Sequence, residues 1–404
     1  MKTSKIAIIT ELYGNRNCGG LLQAFALQKF VENNGYSCEQ LLINDGGAVK
    51  KRTRVLDLMR LSWKESLGLI RDKIHCYINP VYAARKRSVE NSIHNRRKAA
   101  AEEFIERIGH SEVIYSPETI DQANARYDLF ICGSDQIWNP HWVAEPMFAL
   151  FYLGFVEEGK KKISYAASMG VQKLTREYER KIKLLINRLD AVSVREESAC
   201  GLLQPLTDQL VTAVLDPVML LTIKEWCAYT GARVSDEEYI FCYLLGREQR
   251  KRSITDKIAK KYNKRIKALP HAAGRYCLFD EQFADVEYEA LSPDQFVREI
   301  ASASYIVTDS FHCAVFSILM NKQFVVLKRN EDSGIGSTNS RLSDLLHMFG
   351  LQDRIVADEA EAVAILALPI DYGRIGNELE KRRADSIAWL LHGLSCEKGR
   401  KVTK

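Results

Sequence analysis

The sequence has no apolar run approaching the roughly 20 residues that a membrane-spanning helix needs. Its first apolar run, Ile6 to Thr10, is short and is followed by Glu11, so the N-terminus does not resemble a secretory signal peptide. Internal repeats and low-complexity segments are also missing. Together with an apolar fraction of 46% and a charged fraction of 27%, these absences predict a soluble, cytoplasmic globular protein.

Paired cysteines are missing as well. The chain has ten cysteines, but none of them form a Cys-x-x-Cys pair or a cluster with zinc-site spacing. Most lie beside apolar residues, as Cys242 does between Phe241 and Tyr243. They are typical of reduced core thiols, and we expect neither a bound metal nor another cofactor.

The charge balance gives little indication of a nucleic-acid partner, because a net charge of +5 is small for 404 residues. The distribution is uneven, however. Residues 50–107 contain 15 Lys or Arg against 7 Asp or Glu, a local charge of +8. Such a run is most often a solvated face, but basic amphipathic helices also bind anionic membranes. We therefore keep peripheral contact of residues 48–108 with the inner membrane face as a hypothesis.

A chain of this length predicts two domains rather than one core. Strand and helix patterns alternate throughout, which indicates α/β architecture with parallel sheets. We assign residues 1–217 to a first Rossmann-like domain with a basic helical insertion at 48–108, and residues 218–372 to a second. Residues 373–404 form a C-terminal helix and tail that return to the first domain. Ligand residues at strand ends in both domains imply a cleft between them.

Polar loops follow the predicted strands of the first domain. In the loop Glu11 to Gly20, Gly14 and Gly19 have P-loop spacing, but the Lys and Ser/Thr of that motif are missing, so nucleotide hydrolysis is not indicated. A plain connecting loop is the alternative.

A second polar block, Gly133 to Asn139, follows the strand Tyr127 to Cys132. An exposed Trp138 beside Asp135 and Gln136 is typical of a sugar-binding surface. The alternative is a turn packed by the indole.

Arg195 directly follows the strand Ala191 to Val194. Such a guanidinium can face an anionic ligand or form a structural salt bridge, and the sequence leaves both open.

The second domain has a comparable position at Asp309, Ser310 and His312, between the strand Tyr305 to Val307 and a helix that begins near Phe311. Helix N-termini attract anions, and a histidine there can move a proton. A core histidine packed beside Phe311 is the alternative.

Four short blocks together resemble the polysaccharide pyruvyl transferase family, from about residue 5 to 350. The Gly-Ser-Asp-Gln-Ile-Trp-Asn block is the most specific of them. The blocks are Asn17-Cys18-Gly19-Gly20, Gly133-Ser134-Asp135-Gln136-Ile137-Trp138-Asn139, Ser193-Val194-Arg195-Glu196 and Ser310-Phe311-His312.

The resemblance implies a GT-B-like fold, phosphoenolpyruvate as co-substrate, and a hexose of a surface polysaccharide (exopolysaccharide or capsule) or its lipid-linked precursor as acceptor. It implies His312 and Arg195 as catalytic residues. The donor would contact Arg195, Ser310, Phe311, His312, Asn339 and Arg341. The acceptor would contact Asn17, Gly19, Asp135, Gln136 and Trp138.

The chain departs from the family pattern at one point. Related enzymes can carry arginine two residues before the histidine and glycine after it, where this chain has Ser310 and Cys313. We expect Arg341 to supply the missing positive charge. Two other functions fit the same scaffold: a GT-B glycosyltransferase that uses a nucleotide sugar, and a non-catalytic glycan-binding or assembly protein.

Overall fold

Two α/β units make up the structure, a computed structural model that describes residues 5–44, 77–143, 145–328 and 339–395. The first unit takes the described parts of residues 1–56, 104–221 and 373–404, and the second those of 57–103 and 222–372. The chain passes from the first unit to the second after Leu221, four residues beyond the boundary expected at 217. It passes back to the first unit after Tyr372, where that boundary was expected.

The first unit is built on a parallel sheet in the order β3-β2-β1-β4-β5-β6-β7. Its central strands are almost wholly buried, because helices cover both faces of a parallel sheet. The strands are β1 (Lys5–Ile9), β2 (Ser37–Ile43), β3 (His110–Tyr115), β4 (Leu129–Cys132), β5 (Lys161–Ala167), β6 (Ala191–Val194) and β7 (Val211–Ala213).

The second unit repeats this topology with a six-stranded parallel sheet in the order β10-β9-β8-β11-β12-β13. In each sheet the strand order reverses beside the first strand, between β1 and β4 or between β8 and β11, and ligands of open α/β sheets bind at such reversals. The strands are β8 (Glu237–Tyr243), β9 (Arg265–Ala268), β10 (Val286–Glu287), β11 (Ala303–Thr308), β12 (Gln323–Leu327) and β13 (Ile355–Val356).

Helices connect the strands in both units. Those described are α1 (Cys18–Asn33), α2 (Pro80–Ile105), α3 (Met147–Phe151), α4 (Arg176–Ile186), α5 (Glu197–Leu203), α6 (Ile223–Thr230), α7 (Gln249–Tyr262), α8 (Pro293–Ser302), α9 (Phe311–Leu319), α10 (Asn339–Met348), α11 (Glu359–Ala367) and α12 (Tyr372–Ser395). No helix in the described ranges has the length and apolar composition needed to cross a bilayer.

Helix α2 is the described part of the basic insertion, and it corrects the sequence-based assignment. We expected the insertion to belong to the first domain, but residues up to Glu103 group with the second unit. The physical reason is Arg97, whose buried guanidinium donates to the carbonyls of Pro270, His271 and Ala272 at 2.8–2.9 Å. The helical pattern expected at 55–62 lies outside the described residues, and membrane contact by 48–108 stays a prediction.

Helix α12 returns to the first unit, as the sequence predicted. The Ser386 hydroxyl accepts a hydrogen bond from the Leu215 backbone N–H at 3.0 Å. Leu390 and Leu394 are buried in the same apolar cluster as Ile163 of β5. The last helix thus completes the core of the unit in which the chain begins.

Candidate functional site

Gly133 follows β4 directly, and neighbouring chain leaves no room for a side chain there. A Cβ at this position would lie 2.5 Å from Thr10 Cγ2 and 3.3 Å from Leu27 Cδ2. The glycine of the most specific sequence block therefore allows β1 and α1 to pack closely against the end of β4.

Asp135 has a strained backbone, with φ 79° and ψ −179°. Its carbonyl accepts from the Ser168 N–H at 3.0 Å, and its carboxylate accepts from the Gln136 N–H at 2.9 Å. The carboxylate also lies against the start of α1, since a Cβ on Gly20 would be 3.1 Å from Asp135 Oδ2. Backbone strain of this kind persists only where surrounding contacts maintain it, and it clusters at functional sites.

Asn17 begins α1. Its side-chain oxygen accepts from the Gly19 N–H at 3.0 Å, a standard N-terminal cap. Asn17 is exposed and Gly19 is buried. The contact between Gly20 and Asp135 brings this helix start beside the turn after β4, so three of the expected acceptor residues, Asn17, Gly19 and Asp135, lie in one region.

Trp138 does not form an exposed sugar platform, so this prediction is wrong. The side chain is fully buried, and its Nε1–H donates to the Phe151 carbonyl at 3.0 Å. Its ring stacks on the Tyr152 ring, with 4.3 Å between the ring centroids. The short turn Gln136–Trp138 directs the indole into the core, which corresponds to the packed-turn alternative.

Gln136 is half-buried beside Trp138 and remains accessible to a ligand in part. Its side-chain oxygen accepts from Asn139 Nδ2 at 2.9 Å. Gly170, with φ +59°, makes room for this pair, because a Cβ there would lie 2.6 Å from Gln136 Oε1.

Arg195 is buried and surrounded by carboxylates. Its Nη1 lies 2.7 Å from Asp216 Oδ2, and its Nε lies 3.3 Å from Glu196 Oε1. Burial opposes the charge, but Asp216, Glu196 and Asp135 more than offset this and raise the pKa of the guanidinium. These contacts are those of the salt-bridge alternative. A contact between Arg195 and the donor stays a prediction, and it would require the donor to share the guanidinium with two carboxylates.

Asp216, Glu196 and Ser168 belong to this site, although none of them was among the predicted ligand-binding residues. Asp216 accepts from the Val218 N–H at 3.0 Å and from the Ser134 hydroxyl at 3.3 Å, and the Ser168 hydroxyl donates to Glu196. The network joins the loops after β4, β5, β6 and β7. Their positions after strands were visible in the sequence, but their mutual contacts were not.

In the second unit, the start of α9 carries Phe311 and His312, with Ser310 as the N-cap residue. All three are buried, and the His312 ring meets the Phe311 ring edge-on at 5.3 Å between centroids. Arg341, in the first turn of α10, places its guanidinium carbon 5.6 Å from the centre of the same Phe311 ring. Two helix starts and a cation, separated by some thirty residues in sequence, thus lie close together. That these residues bind the donor stays a prediction.

The two helix starts and Arg341 favour binding of an anion beside Phe311. The N-termini of helices carry partial positive charge, and Arg341 adds a full one. Asn339 is the first residue of α10.

Cys313 is not suited to nucleophilic attack, because burial raises the pKa of its thiol. Among the residues that the structure describes, no group of three or more His, Cys, Asp or Glu side chains is placed to hold a metal ion.

Several solved structures are similar to this chain. A putative UDP-N-acetylglucosamine 2-epimerase from Listeria monocytogenes matches over 100% of this chain and 99% of its own, at 10% identity and a TM-score of 0.53. A UDP-GlcNAc 2-epimerase from Methanocaldococcus jannaschii matches over 95% and 98%, at 12% identity and a TM-score of 0.49. The first of these likenesses and the two parallel sheets confirm the expected GT-B-type fold class.

The sequence matches a family model but no individual curated protein. The model of the family described as polysaccharide pyruvyl transferase matches residues 17–331, a range that includes the starts of α1 and α9 and the whole network around Arg195. The chain therefore belongs to the polysaccharide pyruvyl transferase family.

Proposed function

We propose that this protein transfers the pyruvyl group of phosphoenolpyruvate to a hexose, forming a pyruvate ketal and releasing phosphate. The observation that carries the proposal is the meeting of His312, Arg341 and two helix starts around Phe311, in a chain that belongs to the polysaccharide pyruvyl transferase family.

The donor chemistry suits the second-unit residues. Phosphoenolpyruvate carries a phosphate and a carboxylate, which together need a guanidinium and helix-terminal N–H groups. Arg341 and the N-terminus of α9 supply both kinds of group. In our proposal Arg341 takes the role of the arginine that this chain lacks at position 310, and Ser310 and Phe311 line the same site.

The reaction begins with transfer of a proton from His312 to the methylene carbon of phosphoenolpyruvate. The cation formed at C2 is attacked by one sugar hydroxyl, which loses its proton. Phosphate then leaves C2, and a second hydroxyl of the same sugar attacks and closes the ketal ring. The methyl group of the product keeps the proton from His312, the released phosphate carries one of the two hydroxyl protons, and the other hydroxyl proton restores the protonated His312.

The acceptor residues belong to the first unit. Asn17, Gly19, Asp135 and Gln136 provide amide, backbone and carboxylate groups that suit sugar hydroxyls, whereas the buried Trp138 no longer belongs to the set. We propose a hexose of a surface polysaccharide, exopolysaccharide or capsule, or of its lipid-linked precursor, as the acceptor.

Replacement of the proton donor tests the proposal. We expect His312→Ala to lower the transfer rate by about 10²- to 10⁴-fold, the usual contribution of a general acid, without loss of the fold. The measurement combines phosphate release with mass spectrometry of a pyruvate ketal on a panel of hexosides and lipid-linked glycans. His347→Ala is the matched control, because His347 is exposed on α10 and its loss should leave the rate unchanged. Full activity in folded His312→Ala would exclude the mechanism.

Ligand titration separates the competing functions. The Listeria structure with the same fold is described as a putative nucleotide-sugar epimerase, so UDP-sugars are the appropriate comparison. A ligand that binds the native state raises the melting temperature, and we expect phosphoenolpyruvate to do so. A shift with UDP-sugars alone would support a glycosyltransferase. Phosphate release that needs both substrates would exclude a purely glycan-binding protein.

A further inference from the structure

Asp309 directly follows β11, one of the two central strands of the second sheet, and stands three residues before His312. Its buried carboxylate accepts hydrogen bonds from the backbone N–H groups of Leu245 at 2.6 Å and Gly246 at 2.8 Å. Leu245 and Gly246 follow β8, and Asp309 follows β11. The carboxylate therefore joins the two loops at the reversal of strand order, where α/β sheets bind their ligands.

Lys251 of α7 forms an ion pair with this carboxylate. Its Nζ lies 2.9 Å from Asp309 Oδ2 and 3.3 Å from Glu248 Oε2. The Lys251 and Asp309 side chains are 7% and 0% exposed, whereas that of Glu248 is 40% exposed. The Asp309–Lys251 pair is thus buried, and solvent does little to screen it.

The environment of Gly246 shows that this pair is tightly enclosed. A Cβ on Gly246 would lie 2.7 Å from Lys251 Nζ and 2.8 Å from Asp309 Oδ2. The Gly246 carbonyl in turn accepts from Arg252 at 2.5 Å. The loop after β8 is thus held by Arg252 on its carbonyl side and by Asp309 on its N–H side, with the Asp309–Lys251 pair packed closely against it.

We infer that Lys251 is required for binding of the anionic donor because it cancels the charge of Asp309. This inference rests on the proposed donor site at His312. Three residues of extended chain span at most about 11 Å, so Asp309 is within Coulomb range of any phosphate or carboxylate held at His312. An uncompensated carboxylate at that distance in a partly buried site would weaken binding of an anion about tenfold.

The experiment measures the Kd of phosphoenolpyruvate by calorimetry in the full-length protein. Lys251→Met should raise the Kd about tenfold, whereas Lys251→Arg, which keeps the charge, should stay near wild type. The double variant Lys251→Met with Asp309→Asn removes both charges and should restore the Kd. Lys257→Met is the matched control, because Lys257 lies on the same helix in an exposed pair with Glu359.

A merely structural role for the pair gives a different pattern. The double variant would then bind at least as weakly as Lys251→Met, and that result, or an unchanged Kd in Lys251→Met, would overturn the inference. If Lys251→Met does not fold, as circular dichroism would show, Asp309→Asn alone decides, since the charge argument predicts a Kd no higher than wild type. Failure of wild-type protein to bind phosphoenolpyruvate would instead contradict the proposed function itself.

Discussion

Trp138 shows how a single residue can be misread. In sequence it stands among Asp, Gln and Asn, and that setting suggests an exposed ring for sugar stacking. In the structure its ring is stacked on Tyr152 in the core and its N–H is bonded to a carbonyl. Buried tryptophan needs such a partner, so the side chain has a complete structural role without any ligand.

We expect Trp138→Ala to lower the free energy of unfolding by about 3–5 kcal/mol, because it leaves a large cavity and removes the stacked pair. Denaturant unfolding followed by fluorescence measures this loss. Trp142→Ala is the control, because Trp142 is 43% exposed and its loss should have a small effect. If Trp138→Ala left the stability unchanged and raised the KM for the acceptor, Trp138 would belong to the sugar-binding site after all.

At the scale of elements, the loops after parallel strands carry the polar groups of the network around Arg195. Asp135, Arg195 and Asp216 follow three different strands of the first sheet and lie in one network. Because the carboxyl ends of parallel strands share one edge of a sheet, these loops are neighbours in space although they are distant in sequence.

Gly133→Ala should destabilise the protein by about 1–3 kcal/mol, since overpacking forces atoms of β1 and α1 apart. A Cβ there would be 2.5 Å from Thr10 Cγ2. Thermal unfolding by calorimetry measures the effect. The matched control is Gly201→Ala in α5, where no atom lies within 4 Å of the added Cβ and a helical alanine should be neutral or stabilising. Equal effects at the two glycines would contradict the packing argument.

At the scale of the whole molecule, the first and the last described segments, residues 5–44 and 373–395, belong to the same unit. Helix α12 supplies Leu390 and Leu394 to a cluster with β1, β4 and β5. The first unit therefore combines three segments of the chain, and the two parts of the second unit lie between them in sequence.

Leu390→Ala should cost about 2–5 kcal/mol of stability, because the side chain is fully buried against the first sheet. The loss is measured by chemical denaturation. Leu184→Ala serves as the control, since Leu184 lies on α4 of the same unit and is 75% exposed. If the two variants lost the same free energy of unfolding relative to wild type, α12 would not contribute to this core.

Much of the fold was visible in the sequence, because strand and helix periodicity are local properties. The range expected for β6, Ala191 to Val194, agrees with the structure, and α9 begins at Phe311 as expected. Short edge strands such as β10 and β13, of two residues each, have no such periodicity and were not expected.

The candidate site was only partly visible, because a sequence shows which residues follow strands but not which of them meet. By itself the sequence determined the α/β class, the family resemblance and the placing of His312 at a helix start. Only the tertiary structure decided that Trp138 is buried, that Arg195 is ion-paired, and that Lys251 neutralises Asp309. These outcomes depend on contacts between residues far apart in the chain, which burial and charge pairing select only once the sheets are assembled.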